Sequence, residues 1–105
     1  MDENLITKME ITEFKKSLAL EKPPQNVPQL AKALWFDAKG NWEKAHEIAQ
    51  IDEGNYVYDR IHAYLHRKEG DIFNAKYWYR RINVPFPNVS LEEEWEGLVE
   101  EYLNI

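Results

Sequence analysis

The sequence predicts an all-α chain: two consecutive helix hairpins stacked together, with an N-terminal helix before them and a C-terminal capping helix after. Three observations carry the prediction. Residues 30–50, LAKALWFDAKGNWEKAHEIAQ, align with residues 60–80, RIHAYLHRKEGDIFNAKYWYR, at a period of 30 residues. In each copy a glycine, Gly40 or Gly70, is followed at once by a good helix N-cap, Asn41 or Asp71. The flanking segments space their apolar residues as helices do, without the alternation of strands.

Taken in chain order, Ile11, Phe14 and Leu18 stand at i, i+3 and i+7, which predicts a short amphipathic helix over about 7–20, with Thr7 and Glu10 as a capping box. Residues 21–28, EKPPQNVP, hold three prolines and read as a linker that separates rather than packs, with Pro28 suited to the first turn of the next helix. The repeats predict helices over about 28–39, 41–51, 56–69 and 71–82. Ala33 falls on Ala63 and Ala45 on Ala75, small residues that let paired backbones approach closely. Residues 83–89, NVPFPNV, interrupt the chain, and Ser90 with Glu93 forms a capping box that opens the last helix. Leu91, Trp95, Leu98 and Tyr102 give that helix one apolar stripe, read as a cover over the second hairpin. A length of 105 residues fits one helical domain, made of segments 1–27, 28–82 and 83–105.

Charge and composition limit the function classes. The net charge of −6 disfavours duplex nucleic acid and anionic membranes, both of which attract cations. No apolar run approaches the ~20 residues of a membrane span, and the first residues lack a signal-peptide pattern, so a soluble, cytoplasmic protein is expected. With no cysteine, disulfides, thiol catalysis and cysteine metal sites are excluded. The charge is unevenly placed. Residues 1–84 are formally neutral, whereas Glu92, Glu93, Glu94, Glu96, Glu100 and Glu101 lie in a final segment with no basic residue. A local basic face on the body is therefore compatible with the acidic total.

The marks Ala33, Phe36, Gly40, Trp42 and Ala45, answered by Ala63, His66, Gly70, Ile72, Ala75 and Tyr79, resemble tetratricopeptide repeats. The resemblance implies a right-handed stack of helix hairpins that binds other proteins. The period is 30 rather than 34 residues and the Leu-Gly pair of the first helix is missing, so the match is to a tetratricopeptide-like build. The run HAYLHRKEGD, with Asn74-Ala75 and then YWYRR, also resembles a family of small bacterial and fungal proteins with no assigned activity.

Two constellations carry candidate chemistry. His62, His66 and Glu69 stand at i, i+4 and i+7 on one helix face, where imidazoles and a carboxylate can hold a metal ion, with His46 as a further ligand. The competing reading makes the histidines polar members of the packing or of a groove. Between His62 and His66 stand Ala63, Tyr64 and Leu65, so the general base of a His-Glu-x-x-His motif is missing. The second constellation is Tyr77, Trp78, Tyr79, Arg80 and Arg81. Three successive aromatics cannot all enter one core, so Trp78 is expected inside and Tyr77 or Tyr79 outside beside an arginine, a combination common at protein interfaces. The same residues could stack on single-stranded nucleic acid, a reading the acidic end disfavours. Arg67 and Lys68 suit a helix C-terminus, and Asn74 could bond a neighbouring backbone or a bound peptide.

There is no phosphate loop and no nucleophile elbow, and no catalytic residue or cofactor is expected. The leading expectation is a non-catalytic binding module whose groove, lined by His62, Tyr64, His66, Glu69, Asn74, Tyr77 and Arg81, receives a protein segment or a second copy of the chain. The alternative is a metal-dependent or small-molecule-binding protein, possible as an enzyme, centred on His46, His62, His66 and Glu69.

Overall fold

Glycine and the cap residue after it place the two sharpest turns of this computed structural model, which describes residues 9–104. Gly40 and Gly70 take φ of 84° and 89°, a region open to glycine at little cost. In the first turn Gly40 N–H donates to Asp37 O and Asn41 N–H to Phe36 O. In the second, Gly70 N–H donates to Arg67 O and Asp71 N–H to His66 O. This is the Schellman pattern in both copies. Asn41 Oδ1 then accepts from Lys44 N–H at 3.1 Å, and Asp71 Oδ1 from Asn74 N–H at 3.2 Å, so each second helix starts with its cap in place.

All regular structure among the described residues is helical. The helices are α1 Ile11–Lys16, α2 Gln29–Ala38, α3 Trp42–Ala49, α4 Tyr56–Lys68, α5 Ile72–Arg81 and α6 Leu91–Tyr102. A short 3₁₀ turn, Ser17–Ala19, follows α1. Helices α2 and α3 pack as one pair, α4 and α5 as a second, and α3 lies against α4 where the pairs meet. Ala33, Ala45, Ala63 and Ala75 are fully buried, as close helix contacts require.

Three expectations need correction. Helix α1 starts at Ile11, later than about residue 7, and Glu13 caps it by accepting from Glu10 N–H at 3.5 Å. The proposed partner Thr7 lies outside the described residues. The proline linker also packs: Val27 is buried in the main core beside Leu30 and Leu34, and Pro28 is the N-cap of α2.

The third correction concerns α6. It opens on the expected box, with Glu93 N–H donating to Ser90 Oγ at 3.0 Å and Ser90 N–H to Glu93 Oε1 at 3.1 Å. It does not, however, cover the second pair from outside. It lies against α1, α2 and α4, that is, across the first helices of both pairs. Trp95 Nε1 donates to Leu34 O of α2 at 3.0 Å, and the Tyr102 hydroxyl to Val57 O of α4 at 3.0 Å. Glu94 is buried between them. Its Oε1 accepts from Arg67 Nη1 at 2.6 Å, while Oε2 lies 2.8 Å from Arg60 Nη1 and accepts the Tyr79 hydroxyl. A buried carboxylate needs such partners, because desolvation is repaid only when charge and lone pairs are matched.

A three-histidine cluster and an uncovered helix face

Helix α4 turns His62 and His66 to one side because residues four apart overlie each other. Packing of α3 against α4 brings His46 to the same place. The three histidines are the only ones in the chain, and ligand-capable nitrogens of all three lie within 4.8 Å of one another. His46 Nε2 faces His62 Nε2 at 2.9 Å. Glu69 Oε2 lies 2.9 Å from His66 Nδ1, which leaves His66 Nε2 as that ring's remaining ligand atom. His66, Glu69 and Asp71 form a second, overlapping group with the same 4.8 Å spread.

Two indoles wall the cluster. Trp42 stacks on His46 with centroids 4.6 Å apart, and its Nε1 donates to Leu65 O at 2.8 Å. Trp78 stacks on His62 at 4.1 Å, and the Arg81 guanidinium lies over the same Trp78 indole at 4.9 Å. Burial disfavours a charged ring here. It is the main reason the His62 imidazole is held down at about 4, with His46, His66 and Arg81 adding to the effect. Burial and His66 also lower His46, against a smaller opposing pull from Glu69. His62 is 4% exposed, and its Nδ1 is buried without a hydrogen-bond partner.

The remaining groove candidates do not gather in an open groove. Tyr64 is 1% exposed, and its hydroxyl donates to Asp37 Oδ2 at 2.9 Å, so it belongs to the interior of the α2–α4 contact. Lys68 Nζ completes that network, 3.0 Å from Asp37 Oδ1. Asn74 is tied to the α5 cap, with Nδ2 donating to Asp71 Oδ2 at 2.8 Å. The first helices of both pairs, α2 and α4, are packed by α6. A cleft of about 460 Å³ persists beside them, lined by Lys15, Leu18, Lys68, Leu91 and Trp95 among others.

Of the aromatic run, Trp78 and Tyr79 are buried, and Tyr77 is the outward member at 48% exposure. Arg81 Nη1 reaches Tyr77 Oη at 3.5 Å and Glu53 Oε2 at 3.4 Å. Beside Tyr77 stands Phe73, 85% exposed, a residue that the sequence reading passed over. Its signal was available: Phe73 and Tyr77 are four apart on α5, opposite to buried Ala75 and Trp78.

No family model, curated protein or solved structure matches this chain. No helix among the described residues is long and apolar enough to cross a membrane.

Proposed function

We propose that this chain is a non-catalytic binding module of tetratricopeptide-like build, and that it binds through the outer face of α5 instead of an inner groove. One observation carries the reading: Phe73 and Tyr77 stand exposed side by side on a helix face that no other helix among the described residues covers. Large aromatics at such positions are characteristic anchors of protein interfaces. Lys76, Arg80 and Arg81 surround them, which favours a partner segment that combines acidic and apolar residues. Glu53 already pairs with Arg81, and an exposed pair of this kind, worth less than about 1 kcal/mol, is readily exchanged for a partner carboxylate. The acidic last helix of a second copy offers the same chemistry, so self-association is one outcome of the test.

Selection of displayed peptides on the immobilised full chain tests the proposal. Enriched peptides should carry Asp or Glu beside Leu or Phe, and the double substitution Phe73→Ala, Tyr77→Ala should abolish binding with helicity unchanged. Sedimentation over a concentration series reads out self-association through the same face. Absence of both peptide enrichment and self-association would overturn the proposal, as would undiminished binding by the double variant.

A further inference from the structure

The three-histidine cluster has features that packing alone does not require. A polar cluster that serves only to pack closes its hydrogen bonds among its own members, because each buried unpaired group is costly. This cluster does not close. A neutral imidazole has one N–H and one lone pair, and the facing nitrogens of His46 and His62 use one of each between them. His62 Nδ1 is buried without a partner in either tautomer, and the nitrogens placed to share an ion are the facing Nε2 atoms of His46 and His62 together with His66 Nε2. His66 points the same way from the outside. A carboxylate fixes its Nδ1, the outer arrangement commonly found behind a metal-bound imidazole, and that contact directs basicity to Nε2.

The dimensions suit an ion. Two nitrogens bound tetrahedrally at about 2.0–2.1 Å from zinc stand roughly 3.3 Å apart, so the 2.9 Å separation of His46 and His62 needs only a few tenths of an ångström of adjustment. The third histidine lies within the same 4.8 Å sphere. Stacking on Trp42 and Trp78 fixes the planes of His46 and His62. Entry is available on the side of His66 and Glu69, where Glu69 and Asp71 supply negative charge. Imidazole donors select zinc, copper, nickel or cobalt over magnesium and calcium, which prefer oxygen.

We propose that His46, His62 and His66 form a binding site for one divalent transition-metal ion of zinc-like preference, with Glu69 as the positioning residue behind His66. The ion ties α3 to α4 and so fastens the first helix pair to the second. This site is separate from the outer face of α5, and it stands or falls independently of the binding-module reading.

The test is a titration of the chelator-treated full chain with Zn²⁺ alone, and with Co²⁺ alone followed by visible absorption. Binding of about one equivalent is expected, with the ligand-field bands of nitrogen-bound Co²⁺. His46→Gln and His66→Gln, both at partly exposed positions, should each weaken binding at least ~100-fold, and Glu69→Gln by roughly 10-fold. Phe73→Ala should leave the titration unchanged. His62→Gln alters the core, so its result is read only with helicity preserved, and the two outer variants carry the decision. Binding of less than about a tenth of an equivalent, or an unchanged affinity in His46→Gln and His66→Gln, would overturn the site.

Discussion

Helices α3 and α5 occupy equivalent places in the two repeats, and their fates differ. Trp42 opens α3 and is half buried against α4, with its indole N–H bonded to Leu65 O. Its equivalent, Ile72, opens α5 and is exposed. His46 of α3 enters the histidine cluster, whereas its equivalent, Lys76, faces solvent. The difference does not lie in the helices' inner faces, where Ala45 and Ala75 are both fully buried. It arises because the second helix pair packs on α3 while, among the described residues, no further pair packs on α5 and α6 docks against α1, α2 and α4. An uncovered α5 face is thus a consequence of where the last helix docks.

The strongest way to break this comparison is to release α6. Glu94→Ala leaves Arg60 and Arg67 facing a buried void and should cost about 3–5 kcal/mol in urea unfolding. A loss below about 1 kcal/mol would mean that α6 is not held as described.

Acid should act next, at the contact between the pairs. Unfolded, His62 takes up a proton near the ordinary value of 6.5, whereas folded it does so at about 4. Between those values the unfolded chain binds more protons, so stability is complete above about pH 6.5 and falls as pH drops toward 4, by roughly 3 kcal/mol in all. The groups facing His62 are His46 from α3, His66 on its own helix and Arg81 from α5, all of which oppose a further positive charge. Metal-free protein followed by thermal unfolding between pH 4 and 7 should show this loss, and His62→Gln should flatten it.

Trp42→Ala and Ile72→Ala set the equivalent positions against each other. The first should cost about 2–3 kcal/mol and the second less than about 0.5 kcal/mol. Similar losses would erase the distinction between covered and uncovered helices. Where the repeats are alike, the effects should be alike: Gly40→Ala and Gly70→Ala each force a left-handed residue with nothing crowding its Cβ, and each should cost about 1–2 kcal/mol. Smallest of all, Phe73→Ala should change stability by less than about 0.5 kcal/mol while weakening partner binding.

The legible parts of the fold were those encoded locally. Gly40-Asn41, Gly70-Asp71 and the Ser90–Glu93 box act within a few residues, and each appears as read. The docking site of α6 was not legible, since an apolar stripe specifies a face to bury and leaves open what buries it. Glu94 illustrates the same limit. It lies three residues after Leu91 and four before Leu98, on the stripe itself, yet composition shows it only as one of six acids in the final segment. At the candidate site, spacing placed His62 and His66 together on α4. His46 is expected as a further ligand from the neighbouring hairpin and does join them, whereas the uncovering of Phe73 depends on how helix pairs meet, which no local pattern records.

Hydroxyl-radical footprinting of the full chain tests the contrast between α3 and α5 most directly. Phe73 and Tyr77 should be modified rapidly in the free protein and shielded by a saturating acidic-apolar peptide, with Trp42 slow in both states. Rapid modification of Trp42, or reactivity of Phe73 and Tyr77 that the peptide leaves unchanged, would contradict the account.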